Sequence, residues 1–309
     1  MPGSSLAGNV GLRFASGHFA LRLDGANAAE LTLLSDYEGG DIHADVISMF
    51  EAGSPFARKH LGPPKYGAFA IPVGIAMAPG LFDWIAGSWG AHPEKRDGAV
   101  LGVDAGFKVK TEAGFAGALV VGTGIPTLDA ASKQAGYLTV RFQPESIDVK
   151  PGAGKLSLVL AKQKLWRTSN FRLEIDGLDC MKVSRIDAFT ITREVDLFSS
   201  GSGGGPVLVA GRLDFPNLRI TLAQAGSETW VDWHESFVVN GNNGDGFERN
   251  GSIRFLSADL KTELSRIDLL HLGIVRLARA TGGGSGALAK TTAELYCEQM
   301  VLSQPGVKP

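Results

Sequence analysis

The side chains best suited to chemistry are few and scattered. Asp232-Trp233-His234-Glu235 sets three titratable groups beside a tryptophan, the raw material for general acid–base work. At helical spacing, however, Trp230 and Trp233 share one apolar face with Phe237 and Val238, which puts Asp232, His234 and Glu235 at its solvated edge. Ser285, in Gly283-Gly284-Ser285-Gly286-Ala287, falls one residue short of a nucleophile elbow and does not stand between a clear strand and helix. Asn240 to Gly246 is a polar turn with a single acid, Asp245, and lacks the alternating carboxylates of a calcium loop. His43, His60, His92 and His271 show no metal-ligand spacing. No Gly-x-x-x-x-Gly-Lys-Ser/Thr phosphate loop and no His-Glu-x-x-His stretch occur. The expectation is a protein that is not an enzyme, with no catalytic, cofactor-binding or metal residues.

Composition narrows the classes further. The chain has 309 residues, more than one typical core holds and suited to two. Hydrophobic residues make up 44% and charged residues 20%, as in a globular protein, and the net charge of −2 argues against a nucleic-acid-binding or membrane-binding surface. Two cysteines, Cys180 and Cys297, supply neither a disulfide framework nor a four-thiolate zinc site and read as reduced, half-buried thiols. No run of apolar residues approaches a membrane span, and no apolar signal core opens the sequence, so synthesis and folding in a cytoplasm are expected.

Something must position so many glycines and short apolar runs, and it is a repeat. Phe19-Ala-Leu-Arg-Leu-Asp24-Gly25 recurs as Phe171-Arg-Leu-Glu-Ile-Asp176-Gly177. Apolar residues at every second position make a strand with one buried face, and Asp-Gly ends it. Asp83-Trp84 and Asp232-Trp233 lie 149 positions apart, the opening phrases 152, and Arg96-Asp97-Gly98 and Arg249-Asn250-Gly251 lie 153 apart. Near-constant offsets mark an internal duplication. Asp24 and Asp176 are then turn formers that the repeat needs twice. The predicted layout is a loose arm over 1–16, a first domain over 17–150, a linker over 151–168, a second domain over 169–303 and a tail over 304–309. Strands are predicted near 18–24, 68–77, 99–104, 115–121 and 137–142, and again near 171–177, 217–222, 252–257, 267–277 and 293–301. Ser35 to Lys65 and the stretch holding Ser199 to Gly205 read as long irregular loops, and the two Arg-x-Gly phrases read as turns. Trp84 and Trp89 in one half, and Trp230 and Trp233 in the other, sit at helical spacing as structural anchors. The fold class is mainly β: two tandem small antiparallel barrels or sandwiches, each with one short packed helix.

The order of features resembles a known family. An opening strand ending in Gly leads to an acidic Gly-Gly loop, Tyr37-Glu38-Gly39-Gly40-Asp41. Then come Lys59-His60-Leu61-Gly62 before an apolar strand, a short helix with Asp-Trp, an Arg-Asp-Gly phrase and a closing alternating strand. Over 17–150, and more weakly over 169–303, this is similar to the tube proteins of contractile phage tails and related injection systems. The second half lacks the acidic Gly-Gly loop. Two such domains in one chain resemble the hub proteins at the end of the tube, in which a trimer meets a hexamer.

The resemblance implies a structural protein that forms a tube or hub ring around a central channel by strand pairing between subunits. Tyr37, Glu38, Gly39, Gly40, Asp41, Lys59 and His60 become candidates for ring and stacking contacts, and the strands opening at Phe19 and Phe171 become candidates for the sheet around the channel. The implied partners are further copies of the chain, as a trimer or a hexamer, and neighbouring tube, hub or sheath proteins. The implied setting is a tail or tail-like particle assembled in a bacterial cytoplasm. Two other classes stand beside this one: a carbohydrate-binding or hydrolytic β-sandwich, which would show aromatics over a cleft or two facing carboxylates, and a two-domain β adaptor.

Overall fold

A computed structural model describes residues 18–25, 30–156, 166–199, 206–280 and 289–305. The expected arm at 1–16, the apolar part of the linker from 157 and the loops at 200–205 and 281–286 lie outside the described residues.

The first half runs β1 (His18–Leu23), β2 (Glu30–Leu34), β3 (Glu38–Gly39), β4 (Ile42–Phe50), β5 (Ala57–Tyr66), β6 (Phe69–Val73), helix α1 (Pro79–Ser88), β7 (Arg96–Val103), β8 (Val109–Ile125), β9 (Leu128–Asp129), β10 (Leu138–Gln143) and β11 (Ser146–Pro151). The second runs β12 (Phe171–Ile175), β13 (Val183–Ile186), β14 (Phe189–Ser199), β15 (Pro206–Asp214), β16 (Leu218–Ala223), helix α2 (Glu228–His234), β17 (Arg249–Leu256), β18 (Glu263–Ala280) and β19 (Lys290–Ser303). The protein is mainly β, and every strand pair is antiparallel.

Six strands keep the same order on both sides, while β2 adds to the outer edge of β1 and no described strand adds to β12 in that way. The first half is ordered β1-β7-β8-β10-β6-β3, and the second β12-β17-β18-β19-β16-β13. β11 continues along β8 as the far part of β19 does along β18. The opening phrases form β1 and β12, whose alternating residues Leu21, Leu23, Leu173 and Ile175 enter the core.

The Arg-x-Gly phrases are strand starts, which corrects their reading as turns. Asp97 lies in β7, and its Oδ1 accepts the backbone N–H of Gly117 at 2.8 Å. Asn250 lies in β17, and its Oδ1 accepts the N–H of His271 at 3.1 Å. Gly117 and His271 are the points where the long strands β8 and β18 bend, at φ of 60° and 55°. A left-handed residue inside a strand takes its N–H out of the ladder, and a short polar side chain two strand-starts away supplies the missing acceptor. The phrase recurs because the bend recurs.

Among the described residues each half carries one α-helix. Pro79 opens α1 without losing a helical hydrogen bond, and the Glu30 carboxylate accepts the N–H groups of Gly80 and Leu81 at 2.9 and 3.0 Å. Leu81, Trp84, Ile85 and Ser88 form its buried face at spacings of a helix. α2 buries Trp230 and Trp233 and then passes into a π-helical turn, Glu235–Val239. The wider turn buries Phe237 and leaves Val238 exposed, so the expected four-residue face ends at Phe237.

The expectation of an irregular stretch from Ser35 to Lys65 is corrected as well. β4 and β5 there form a two-stranded hairpin with one register slip, and β14 and β15 form another around the second predicted loop. The expected separation into two cores also changes. One continuous apolar cluster runs through both halves, with Ile125 and Leu128 of the first meeting Ile186, Phe189 and Ile191 of the second. Trp166, at the end of the linker, is buried against Phe255. A small second cluster of Ala20, Ala99, Leu101, Val103 and Val109 covers the other face of β1 and β7.

Candidate assembly interface

The two halves meet edge to edge. β7 pairs with β8 only as far as Arg96 opposite Ala118, which leaves the same edge of β8 free beyond that point. β14 of the second half takes that edge: Phe189 pairs with Ile125, Thr190 with Gly124, Ile191 with Thr123 and Thr192 with Gly122. A short pairing of β13 with β9 and an Arg185–Asp129 ion pair extend the junction. Sheet therefore passes from one half to the other through main-chain hydrogen bonds, the strongest way to satisfy an edge strand.

Two side chains fasten the hairpin to the first half. Arg193, 8% exposed, points from β14 at the C-terminal end of α1. Its Nη2 and Nε donate to the Ser88 carbonyl at 2.9 and 3.2 Å, Nη2 also donates to Gly90 O, and Nη1 donates to Gly211 O at 2.9 Å. Among the described residues it makes no ion pair, and burial pulls its pKa below the usual guanidinium value. The orphaned carbonyls and negative dipole end of α1 are what hold the charge. On the other strand, Leu208 N–H donates to Glu145 Oε1 at 2.8 Å, and Lys95 Nζ lies 2.6 Å from the same oxygen.

The first hairpin is the second one's double, residue for residue. Phe50 pairs with Ala57 as Ser199 does with Pro206, 149 positions on in both strands. The register slips between Ala44 and Val46, and again between Arg193 and Val195. Gly62 corresponds to Gly211, and Ala44 to Arg193. The difference is in surroundings. Ile191 is 1% exposed on β8, whereas its counterpart Ile42 is 48% exposed. Toward the tips both hairpins are exposed, with Val46, Ile47, Met49, Phe50, Phe56 and Leu61 in the first and Leu197, Phe198, Val207 and Val209 in the second.

The structure spreads the predicted interface residues over both halves, most of them in the first. Tyr37 packs edge-on to Phe19 and near Phe69, and burial raises its phenol pKa. Glu38 and Gly39 form β3 against β6. Gly39 and Gly40 take φ of 85° and 72°, and a Cβ on Gly40 would strike the Phe69 ring, so the Gly-Gly pair is a packing requirement. Asp41 pairs with His43 at 2.9 Å at the root of β4, and Lys59 and His60 are exposed on β5. Phe171 is half-buried in β12 and lines an open groove of about 590 Å³ beside Cys180. Among the anchors, Trp84 Nε1–H donates to Glu94 O, Trp89 to Thr123 Oγ1, Trp230 to Asp179 O and Trp233 to Phe247 O, and all four rings are buried.

Sequence spacing missed Arg193, Glu145, the β8 edge and one polar cluster. Glu248, His271 and Glu298 bring their ligand atoms within 4.8 Å of one another. Glu248 is already engaged, accepting from Tyr296 Oη at 2.6 Å and lying 2.9 Å from His271 Nδ1, and burial together with that carboxylate pushes the Tyr296 pKa well up. Burial pushes Cys180 and Cys297 each to about 11, so neither is a poised thiolate.

No protein-family model matches the chain, and no curated protein sequence matches it. Among solved structures it is similar to a chain of the six-fold symmetrised anti-feeding prophage baseplate, at 16% identity and a TM-score of 0.34 over 44% of this chain and 94% of that one. It is also similar to a chain of the sheath–tube complex of the extracellular contractile injection system PVC, at 13% identity and 0.34 over 43% and 88%. Hcp1 from Flavobacterium johnsoniae follows at 14% identity and 0.25 over 42% and 94%.

Proposed function

We propose that this chain is a structural subunit of a phage-tail-like contractile particle, forming a ring at the tube or its hub around a central channel. The reading takes residues 17–150 and 169–303 as duplicated tube-like domains joined by 151–168. The common strand order, the residue-matched hairpins and the paired bends of β8 and β18 support that duplication. The observation that carries the ring is the β14–β8 junction: one domain adds its hairpin to the edge of the next, side by side, within a single chain. Repeating that step between chains closes a ring of six domains from three chains, with a step of about 60° by symmetry. The protein works by geometry and needs no catalytic group. Its partners are copies of itself and the tube, hub or sheath proteins above and below, and the setting is a particle assembled in the bacterial cytoplasm.

Native mass spectrometry of the assembled protein, with electron microscopy of the particle, counts the chains. Three per ring is expected. Six per ring, with the second domain on the outside, or a chain that stays monomeric at every concentration, overturns the trimer.

A further inference from the structure

The internal junction has an unused duplicate at each end of the chain. β18 matches β8 at a shift of 154 positions: Gly117 falls on His271, and the register slip after Val120 falls after Ile274. β17 pairs with β18 only as far as Arg249 opposite Leu272, so among the described residues no strand pairs with the edge of β18 beyond that point, on the side where β8 receives β14. The residues matching Gly122, Thr123 and Gly124 are Arg276, Leu277 and Ala278. Val275 and Arg276 are exposed there and Leu277 is half-exposed, whereas Gly122 and Thr123 under β14 are buried. Glu145, which accepts the N–H of Leu208, matches Glu298 through the equivalent pairings of β11 and β19. Glu298 is exposed. At the other end of the chain stands the undocked hairpin, with Ile42 where Ile191 is and Lys59 where Leu208 is.

We propose that the β4–β5 hairpin of one copy adds to the β18 edge of a second copy of this chain, in the register of the internal junction: Asp41 opposite Ala278, Ile42 opposite Leu277 and His43 opposite Arg276, with Lys59 N–H donating to Glu298. The backbone pairing is strand addition at an exposed sheet edge. On one face Ile42 meets Leu277, an apolar pair that buries both. On the other, Asp41 stands diagonal to Arg276, within reach of a long side chain. Lys59 places a positive charge beside Glu298. This deepens the ring reading, resting on it for the premise that copies associate but not for how many close the ring. The two junctions are also unequal. Ala44 stands where Arg193 does, so the contact between copies lacks the buried guanidinium and is the weaker link, the one at which an assembly forms and opens.

The full chain tests this in two ways. Cysteine pairs are introduced as Asp41→Cys with Ala278→Cys, or Ile42→Cys with Leu277→Cys, against a parent whose thiols are Cys180 and Cys297. Oxidation is expected to give a ladder of linked chains for at least one pair. Separately, Leu277→Asp and Glu298→Lys are expected to raise at least tenfold the concentration at which oligomers form, with an unchanged circular-dichroism melt showing that each chain still folds. Oligomers that form normally in both variants, with no cross-link from either pair, overturn this contact and leave the ring reading standing. Cross-linked open filaments support the contact and sink the three-chain ring. A chain that neither associates nor cross-links overturns both.

Discussion

Ile191 and Ile42 hold the same position in two hairpins that share a register, a slip and a loop length, yet one is 1% and the other 48% exposed. Around Ile191 lie Thr123, the end of α1 and a guanidinium aimed at three carbonyls. Ile42 pairs with Tyr66 of its own partner strand, and among the described residues no second sheet edge pairs with its strand. A hairpin of this kind is therefore not stabilised by a core of its own. Its backbone is satisfied by the paired strand, and its side chains acquire an inside only when a neighbouring edge arrives. The comparison separates what folding needs, which is the second hairpin on β8, from what association can use, which is the first.

The largest expected effect tests whether the halves are equivalent at their centres. Trp84 and Trp233 are both buried, each with its indole N–H donating to a carbonyl across the helix–strand joint. Trp84→Ala and Trp233→Ala should each cost about 3–5 kcal/mol in urea unfolding. A variant that keeps the parent's full stability breaks the correspondence for its half.

The hairpins themselves come next. Ile191→Ala should destabilise the chain by about 2–4 kcal/mol, because the truncated side chain leaves a gap between two halves of one core. Ile42→Ala, measured on dissociated chain, should stay within about 0.5 kcal/mol, as exposed positions do. Equal losses at the two sites would mean that the first hairpin is already buried in the single chain.

Arg193→Met sharpens the comparison one step further. Methionine keeps much of the apolar stem but strands the carbonyls of Ser88, Gly90 and Gly211 without their donor. A loss of about 2 kcal/mol is expected, the scale of a hydrogen-bonded charge removed from a buried site. The matching change at Ala44 has no carbonyls to satisfy within the chain, so Ala44→Met should leave the melt of dissociated chain unmoved.

How much of this was legible beforehand follows from where side chains meet a core. β12 and β16 bury every second residue, and β1 alternates in sequence although Ala20 on its other face is buried too, so their period showed in the sequence. The helices showed through tryptophans at helical spacing. β4 and β5 did not show, because nearly every residue in them is exposed on both faces, and Pro63-Pro64 inside β5 reads as a loop. Their strand character comes from pairing alone, and pairing leaves no hydrophobic period. The acidic Gly-Gly loop was visible as a motif, but its glycines answer to the Phe69 ring and the Ala68 carbonyl. Arg193 was invisible for a different reason: its partners are main-chain carbonyls, two of them, on Ser88 and Gly90, more than a hundred positions away in sequence, and a carbonyl carries no residue identity.

The smallest expected effect concerns the bends of the long strands, where the two halves use different residues for one task. Asp97 accepts the N–H of Gly117, and Asn250 accepts that of His271, in each case through Oδ1. Since an amide oxygen suffices in the second half, the first should not need a charge. Asp97→Asn keeps the acceptor and should change stability by no more than about 0.5 kcal/mol, whereas Asp97→Ala leaves the N–H of buried Gly117 unpaired and should cost about 1–2 kcal/mol. Chemical denaturation of the two variants side by side decides it. If Asn and Ala cost the same, the carboxylate charge rather than the position of an acceptor holds the bend, and the resemblance between Asp97 and Asn250 is one of sequence only. If Asn is silent and Ala is not, the two Arg-x-Gly phrases are one structural device, preserved because a left-handed residue inside a strand always leaves the same N–H to be answered.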